Sequence, residues 1–99
     1  MPRVMFTISY GVKPELREEY LVLMKEMKDH FTTVGRKNYS VYEAKGKKNQ
    51  FSEVFVTDSL EEFDALEDNQ DEKTHELISK LEGLIDQDGM KYSTLVEID

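Results

Sequence analysis

The stretch VMFTISYGVKPEL, residues 4–16, decides the first half of the fold. Every second residue from Val4 to Tyr10 is apolar or aromatic, and the residues between them are mostly smaller or polar. This alternation predicts a β-strand with one buried face. Pro14 fits the first turn of a helix, and the acidic residues after it suit the positive end of the helix dipole. The stretch therefore predicts a strand that turns at Gly11 into a helix beginning near Pro14.

The predicted first helix carries a single apolar stripe. Its members recur at helical spacing and are Leu16, Tyr20, Leu23, Met24, Met27 and Phe31. A stripe of this kind faces a hydrophobic core. The helix is expected to end at the run Thr32, Thr33 and Gly35.

Two further strands are predicted as an antiparallel hairpin. The runs Tyr39–Ala44 and Phe51–Thr57 are rich in β-branched and aromatic residues, and the turn-rich segment 45–50 joins them. A last strand is predicted over Lys91–Ile98, where the alternation returns after a turn at residues 88–89.

A second helix is predicted between the hairpin and the last strand. Ser59 and Glu62 have the spacing of a capping box, which marks a helix start. The segment Glu67–Lys73 contains no apolar residue, and helical spacing of apolar residues resumes at Leu77. We therefore expect this helix to be broken or kinked in its middle.

The six elements follow the order βαββαβ over a single domain, residues 1–99. This order is typical of an α+β, ferredoxin-like sandwich with an antiparallel four-stranded sheet. Right-handed crossovers place both helices on the same face of that sheet.

The other sheet face needs a cover. With Val54 and Val56 assigned to the helix side, Phe51 and Phe55 would point away from the helices, together with Met5 of the neighbouring strand. Large apolar groups on an open face favour association. We therefore predict a homodimer that buries the face carrying Phe51 and Phe55.

Composition narrows the possible functions. The chain has no cysteine, which excludes disulfides and cysteine chemistry and suits a reducing cytoplasm. Thirteen basic and twenty-one acidic residues give a net charge of −8, which argues against nucleic acid as a partner. No apolar stretch approaches the ~20 residues that a membrane span requires, and no signal peptide is visible. We expect a soluble, cytoplasmic protein that binds neither membrane nor nucleic acid.

The chain resembles the dimeric α/β-barrel superfamily, and within it the antibiotic-biosynthesis-monooxygenase-like domains. The resemblance covers nearly the whole chain. It rests on the element order, on Val12-Lys13-Pro14-Glu15 after the first strand, and on the segment Asp58–Phe63 leading to Lys73–Leu77. It implies two ferredoxin-like sheets packed face to face in a dimeric α/β barrel. The superfamily includes cofactor-independent oxygenases, haem-degrading enzymes, isomerases, dehydratases and stress-induced proteins.

The haem branch of that superfamily fits this sequence poorly. Its members rely on an asparagine of the first strand, a tryptophan and a helix histidine. This chain has no tryptophan and no asparagine before Asn38, and it keeps only His75 near the place of the histidine. We therefore expect no cofactor.

The candidate site residues are few. His75 precedes the second apolar stripe and is the candidate catalytic residue, although a histidine at such a position is more often a partly exposed helix residue. The candidate ligand-binding residues lie in strands, where they could instead pack the sheet; they are Tyr10, Tyr42, Tyr92 and Ser9. No metal site is predicted, because the acidic run Asp68–Glu72 lacks the glycine that an EF-hand loop requires.

Two functions remain open. The first is a cofactor-independent, monooxygenase-type enzyme that acts on a small aromatic or quinone-like molecule held between sheet and helices, or a protein that only binds such a molecule. The second is a non-catalytic dimeric binding or stress-related domain, which could use its acidic segment to contact a partner.

Overall fold

A computed structural model describes residues 2–35, 37–68 and 71–98, apart from the side chains of residues 67 and 68. The strands are β1 (Val4–Gly11), β2 (Asn38–Glu43), β3 (Gln50–Thr57) and β4 (Lys91–Val96). The helices are α1 (Arg17–Asp29), α2 (Leu60–Asp68) and α3 (Glu72–Glu82). A 3₁₀ turn, Pro14–Leu16, precedes α1, and a π-helical turn, His30–Val34, follows it. None of the described helices combines the length and apolarity needed to cross a bilayer.

The sheet has the strand order β2-β3-β1-β4, and every neighbouring pair is antiparallel. The described helices pack on one face of the sheet, with the core between the two layers. The predicted α+β, ferredoxin-like fold is therefore confirmed.

The helices form where the sequence predicts them. The stripe of α1 is buried at Tyr20, Leu23, Met24 and Met27, and Phe31 continues it in the π-helical turn. These residues face the sheet because their spacing returns to the same side of the helix with each turn.

The second helix is interrupted, as predicted. The Ser59 hydroxyl accepts a hydrogen bond from the backbone N–H of Glu62 at 3.1 Å, which caps α2. The Asp71 carboxylate accepts one from the backbone N–H of Thr74 at 2.8 Å, which caps α3. Of the acidic run between the helices, Asn69 and Gln70 lie outside the described residues.

The prediction that Phe51 and Phe55 point away from the helices is wrong. Strand register pairs Phe51 with Tyr10 and Phe55 with Phe6, so all four residues share the helix side. The Phe51 ring centroid lies 4.3 Å from that of Tyr20 in α1. Val54 and Val56 therefore face outward instead. The face carrying Phe51 and Phe55 is the inner face of this sheet, and it is not free to form a dimer.

The error has a physical cause. Both faces of β3 carry apolar side chains, so alternation alone does not choose between them. Glu53 adds to the ambiguity, because it shares a face of β3 with Phe51 and Phe55, and an isolated carboxylate is costly to bury. In the structure Glu53 is buried, and hydrogen bonds from hydroxyl groups compensate the cost of burying its carboxyl group.

Candidate functional site

A cavity of about 220 Å³ lies between the inner face of the sheet and the helices. Its lining is mostly apolar and is dominated by five aromatic rings, those of Phe6, Phe31, Phe55, Phe63 and Tyr92. The polar groups among its described lining residues come from Lys37, Glu53, Thr74 and Tyr92. An apolar cavity with a few polar groups is the usual form of a small-molecule site.

Glu53 is the chemically distinctive residue of this cavity. It lies on the inner face of β3, paired with Ile8 of β1, and is 2% exposed. Its Oε1 accepts a hydrogen bond from the Tyr39 hydroxyl at 2.6 Å, and its Oε2 accepts one from the Tyr10 hydroxyl at 2.8 Å. The carboxyl group is therefore fixed by strands on both sides of β3.

The hydrogen bonds extend from the sheet to α1. The Tyr20 hydroxyl lies 2.8 Å from the Tyr10 oxygen, and it donates this bond because Tyr10 donates to Glu53. We call Glu53, Tyr10, Tyr20 and Tyr39 the tyrosine–glutamate network. Among the described residues, no buried side-chain polar atom lacks a hydrogen-bond partner, so this network is fully satisfied.

Burial controls protonation in the network. Desolvation raises the pKa of Glu53, and the hydrogen bonds from Tyr39 and Tyr10 oppose that rise. Desolvation, reinforced by the charge of Glu53, also raises the pKa of Tyr10 and Tyr39 far above neutrality. The tyrosines therefore remain hydroxyl donors, and Glu53 is the group of the network able to take up or release a proton.

A second cavity, of about 300 Å³, adjoins the first and shares Phe31, Lys37, Leu66 and Thr74 with it. Here Nε2 of His30 lies 3.1 Å from Oδ1 of Asp71. The backbone N–H of Thr74 and the His30 ring hold the pKa of Asp71 down at about 2. The described residues contain no group of three or more His, Cys, Asp or Glu side chains able to hold a metal ion.

Two of the predicted ligand-binding residues lie at the first cavity or against it. Tyr10 belongs to the tyrosine–glutamate network. Tyr92 lines the cavity and is 64% exposed; its ring stacks on that of Phe6 at a centroid distance of 6.1 Å. The other two are on the outer sheet face, where the Ser9 hydroxyl bonds to that of Ser52 at 2.8 Å and Tyr42 is exposed.

His75 lies on the exposed side of α3 and is not among the described residues that line either cavity. His30 reaches only the second cavity, where its Nε2 bonds to Asp71. The described residues thus place no histidine in the lining of the first cavity to serve as an axial haem ligand. This arrangement does not fit a haem group.

Sequence reasoning missed Glu53 and Lys37. A signal for Glu53 was present, because it shares its strand parity with Phe51 and Phe55, and a charged residue among aromatic core positions requires buried partners. Lys37 lies outside any regular element, and its position follows from tertiary structure alone.

The fold, but not the sequence, matches known proteins. In sequence, the chain matches no protein-family model and no curated protein. In structure, it is similar to a conserved protein from Methanosarcina mazei Go1, with 16% identity and a TM-score of 0.80 over 96% of this chain and 92% of that one. A candidate antibiotic biosynthesis monooxygenase from Deinococcus radiodurans has a TM-score of 0.77 at 13% identity, over 97% and 93% of the two chains.

A third similar structure is that of SnoaB from Streptomyces nogalater, a cofactor-independent oxygenase, in a mutant form. It has a TM-score of 0.73 at 12% identity, over 94% of this chain and 90% of that one. The chain therefore has the ferredoxin-like fold of the antibiotic-biosynthesis-monooxygenase-like domains, as the sequence resemblance predicted. Identity this low establishes the fold, and the activity has to be argued from the site.

Ionisation of Glu53 should make stability depend on pH in a defined direction. Because the pKa of Glu53 is higher in the folded chain than its ordinary value of 4.5, the folded state favours the protonated form. The free energy of unfolding should therefore fall as pH rises from 4.5 through the folded-state pKa, and this loss is complete above that pKa. Glu53→Gln cannot ionise and should lose this component of the pH dependence.

Urea unfolding between pH 4.5 and pH 8 measures the effect. Glu43→Gln is the matched control. The Arg17 guanidinium lowers the pKa of Glu43 to about 2, so ionisation of Glu43 changes the stability below pH 4.5 and not between pH 4.5 and pH 8. Parallel stability curves for the wild type and Glu53→Gln would contradict the assignment.

Proposed function

We propose that the protein binds a small aromatic molecule in the 220 Å³ cavity and oxidises it with molecular oxygen without a cofactor, with Glu53 as the proton acceptor. The observation that carries the proposal is the Glu53 carboxyl group, buried on two tyrosine hydroxyls at an aromatic-lined cavity. The similarity to SnoaB, a cofactor-independent oxygenase, supports the same class of reaction.

The cavity suits a flat, apolar ligand. Phe31 and Phe55 form an edge-to-face pair with ring centroids 5.5 Å apart, and Phe6 and Phe63 form a tilted pair at 5.6 Å. Aromatic side chains offer an additional ring favourable contacts in stacked or edge-to-face geometry. Tyr92 lines the cavity and is exposed, which supports entry of a ligand beside its ring.

The chemistry requires a base and an environment with little water. A buried carboxyl group with a raised pKa is a stronger base than an exposed one and acts close to neutral pH. Glu53 takes a proton from a ring carbon that is acidic because its carbanion is conjugated with a carbonyl group, and the Tyr10 and Tyr39 hydroxyls stabilise the carboxylate before transfer. The resulting carbanion supplies electrons to oxygen.

Anthrone is a suitable probe because the reaction balances without another reagent. One atom of O₂ becomes the new ring carbonyl, and the other leaves as water with the two methylene hydrogens. Glu53→Gln should lower kcat about a hundredfold or more, as expected for loss of general-base catalysis. The Kd of anthrone should stay close to the wild-type value. Oxygen consumption and product absorbance measure the rate.

A second variant tests the location. Ile78→Trp fills the cavity and should abolish anthrone binding, whereas Val22→Trp, at a position on α1 that is 68% exposed, should not. Full turnover by Glu53→Gln, or normal binding by Ile78→Trp, would refute the proposal.

A homodimer is part of this proposal, now through the outer sheet face. The residues that the strand register places there are Met5, Thr7, Ser9, Gly11, Asn38, Ser40, Tyr42, Gln50, Ser52, Val54, Val56, Lys91, Ser93 and Leu95. Lys91 is the one charged residue in this described set, although 34% of the chain is charged. Met5 is 41% exposed and Leu95 is 55% exposed. A face so poor in charge suits burial against a second copy.

The dimer also keeps the alternative function open. A charge-poor face that self-associates would serve a non-catalytic dimeric binding or stress-related domain equally well. The two functions differ at Glu53, since only the enzyme requires its proton transfer. For either function we expect a cytoplasmic location, which suits a chain without cysteine.

Met5→Glu should convert the dimer to a folded monomer, because it would bury a charge without a partner on the outer face, between Val56 and Leu95 of the neighbouring strands. Sedimentation equilibrium at micromolar concentration should give twice the chain mass for the wild type and for the Val22→Glu control. A monomeric wild type, or a Met5→Glu variant that remains dimeric, would contradict the proposed interface.

A further inference from the structure

Lys37 lies where the two cavities meet and lines both of them. Its backbone N–H donates to the Phe31 carbonyl at 2.8 Å, which fixes the chain at this point. Its ammonium nitrogen lies 5.3 Å from the centroid of the Phe31 ring. This cation–π contact holds the charge above an aromatic ring of the first cavity instead of letting it extend into water.

The charge of Lys37 is not neutralised by a neighbour. Among the described residues, Lys37 forms no ion pair with a carboxylate. The acidic side chains of the second cavity have other partners: Glu62 accepts from the backbone N–H of Asp58 at 2.8 Å, and Asp71 accepts from Thr74 and His30. A half-buried cation without an acidic partner is available to a ligand.

Among the described residues that line the first cavity, Glu53 is the acidic one. Both oxygens of Glu53 accept hydrogen bonds from tyrosine hydroxyls, and these bonds offset part of the repulsion that its carboxylate would exert on an anion. Of the described residues that line this cavity, Lys37 alone carries a positive charge. The whole chain carries a net charge of −8, so attraction of an anion has to come from a local group of this kind.

We propose that the ligand of this cavity is an aromatic carboxylate, with its ring on the phenylalanine side chains and its carboxylate paired with the Lys37 ammonium. The inference rests on the proposed binding of an aromatic molecule and is independent of whether that molecule is oxidised. Lys37 thus determines specificity, and Glu53 supplies the proton chemistry.

A pair of ligands of similar shape tests the inference. Isothermal titration calorimetry compares 2-naphthoate with 2-naphthalenemethanol, which replaces the carboxylate by a neutral hydroxymethyl group. The wild type should bind 2-naphthoate about tenfold to a hundredfold more tightly, as expected for one charge-assisted hydrogen bond. Lys37→Met should remove that preference and leave the Kd of the alcohol nearly unchanged.

Two controls separate charge from packing. Lys37→Arg keeps a cation and should retain the preference, and Lys25→Met removes an exposed lysine of α1 and should have no effect. Equal binding of acid and alcohol by the wild type, or equal weakening of both by Lys37→Met, would overturn the inference.

The same titrations distinguish this inference from the proposed function. Suppose that the wild type binds the alcohol, that it binds the acid no better, and that Ile78→Trp blocks binding. The cavity is then an aromatic site, and the carboxylate assignment is wrong. If neither ligand binds the wild type, both proposals fail.

Discussion

The structure depends on the burial of one carboxyl group, that of Glu53, on two tyrosine hydroxyls. An uncompensated carboxylate inside a core costs several kcal/mol, so β3 can present this face to the helices only if Tyr10 and Tyr39 do so as well. The tyrosine–glutamate network thereby ties β3 to both of its neighbouring strands, and Tyr20 extends it to α1. A satisfied polar network in a core favours one arrangement of the elements over others.

The same network lies beside the candidate site. The network occupies the inner sheet face alongside a cavity lined by aromatic side chains, where its carboxyl group is shielded from water. Desolvation moves the pKa of Glu53 upward, and the two hydroxyls prevent the penalty from excluding the ionised form altogether. Lys37 lies at the junction with the second cavity, so the proton transfer proposed for Glu53 and the anion recognition proposed for Lys37 involve different residues.

Much of the fold could be predicted because its signals are local. The alternation of β1, the stripe of α1, the capping box at Ser59 and the apolar gap before Leu77 each depend on a few neighbouring residues. No local signal decides which face of β3 is buried, because Phe51 and Phe55 on one face compete with Val54 and Val56 on the other for the core. Hydroxyl groups from two other strands settle that competition, and they are distant in sequence.

The site was harder to predict for the same reason. The sequence predicts that Tyr10, Tyr92, Ser9 and Tyr42 lie in strands. It does not tell which of them lie on the inner face of the sheet, and Ser9 and Tyr42 lie on the outer face. His75 was a candidate because of its residue type, and its exposure on α3 depends on how that helix packs. Lys37 comes after the π-helical turn, and no periodic pattern marks it. Lining a cavity is a property of several elements together, so a single stretch of sequence does not reveal it.

The central claim is that Glu53 is a buried carboxyl group whose proton is held more tightly than usual. Carbon-13 NMR of the Glu53 side-chain carboxyl carbon, assigned by comparison with Glu53→Gln, follows its titration directly. The account predicts a midpoint above 4.5, the ordinary value of a glutamate carboxyl group. A midpoint at or below that value would show that desolvation does not dominate, and would contradict the account of both the core and the site.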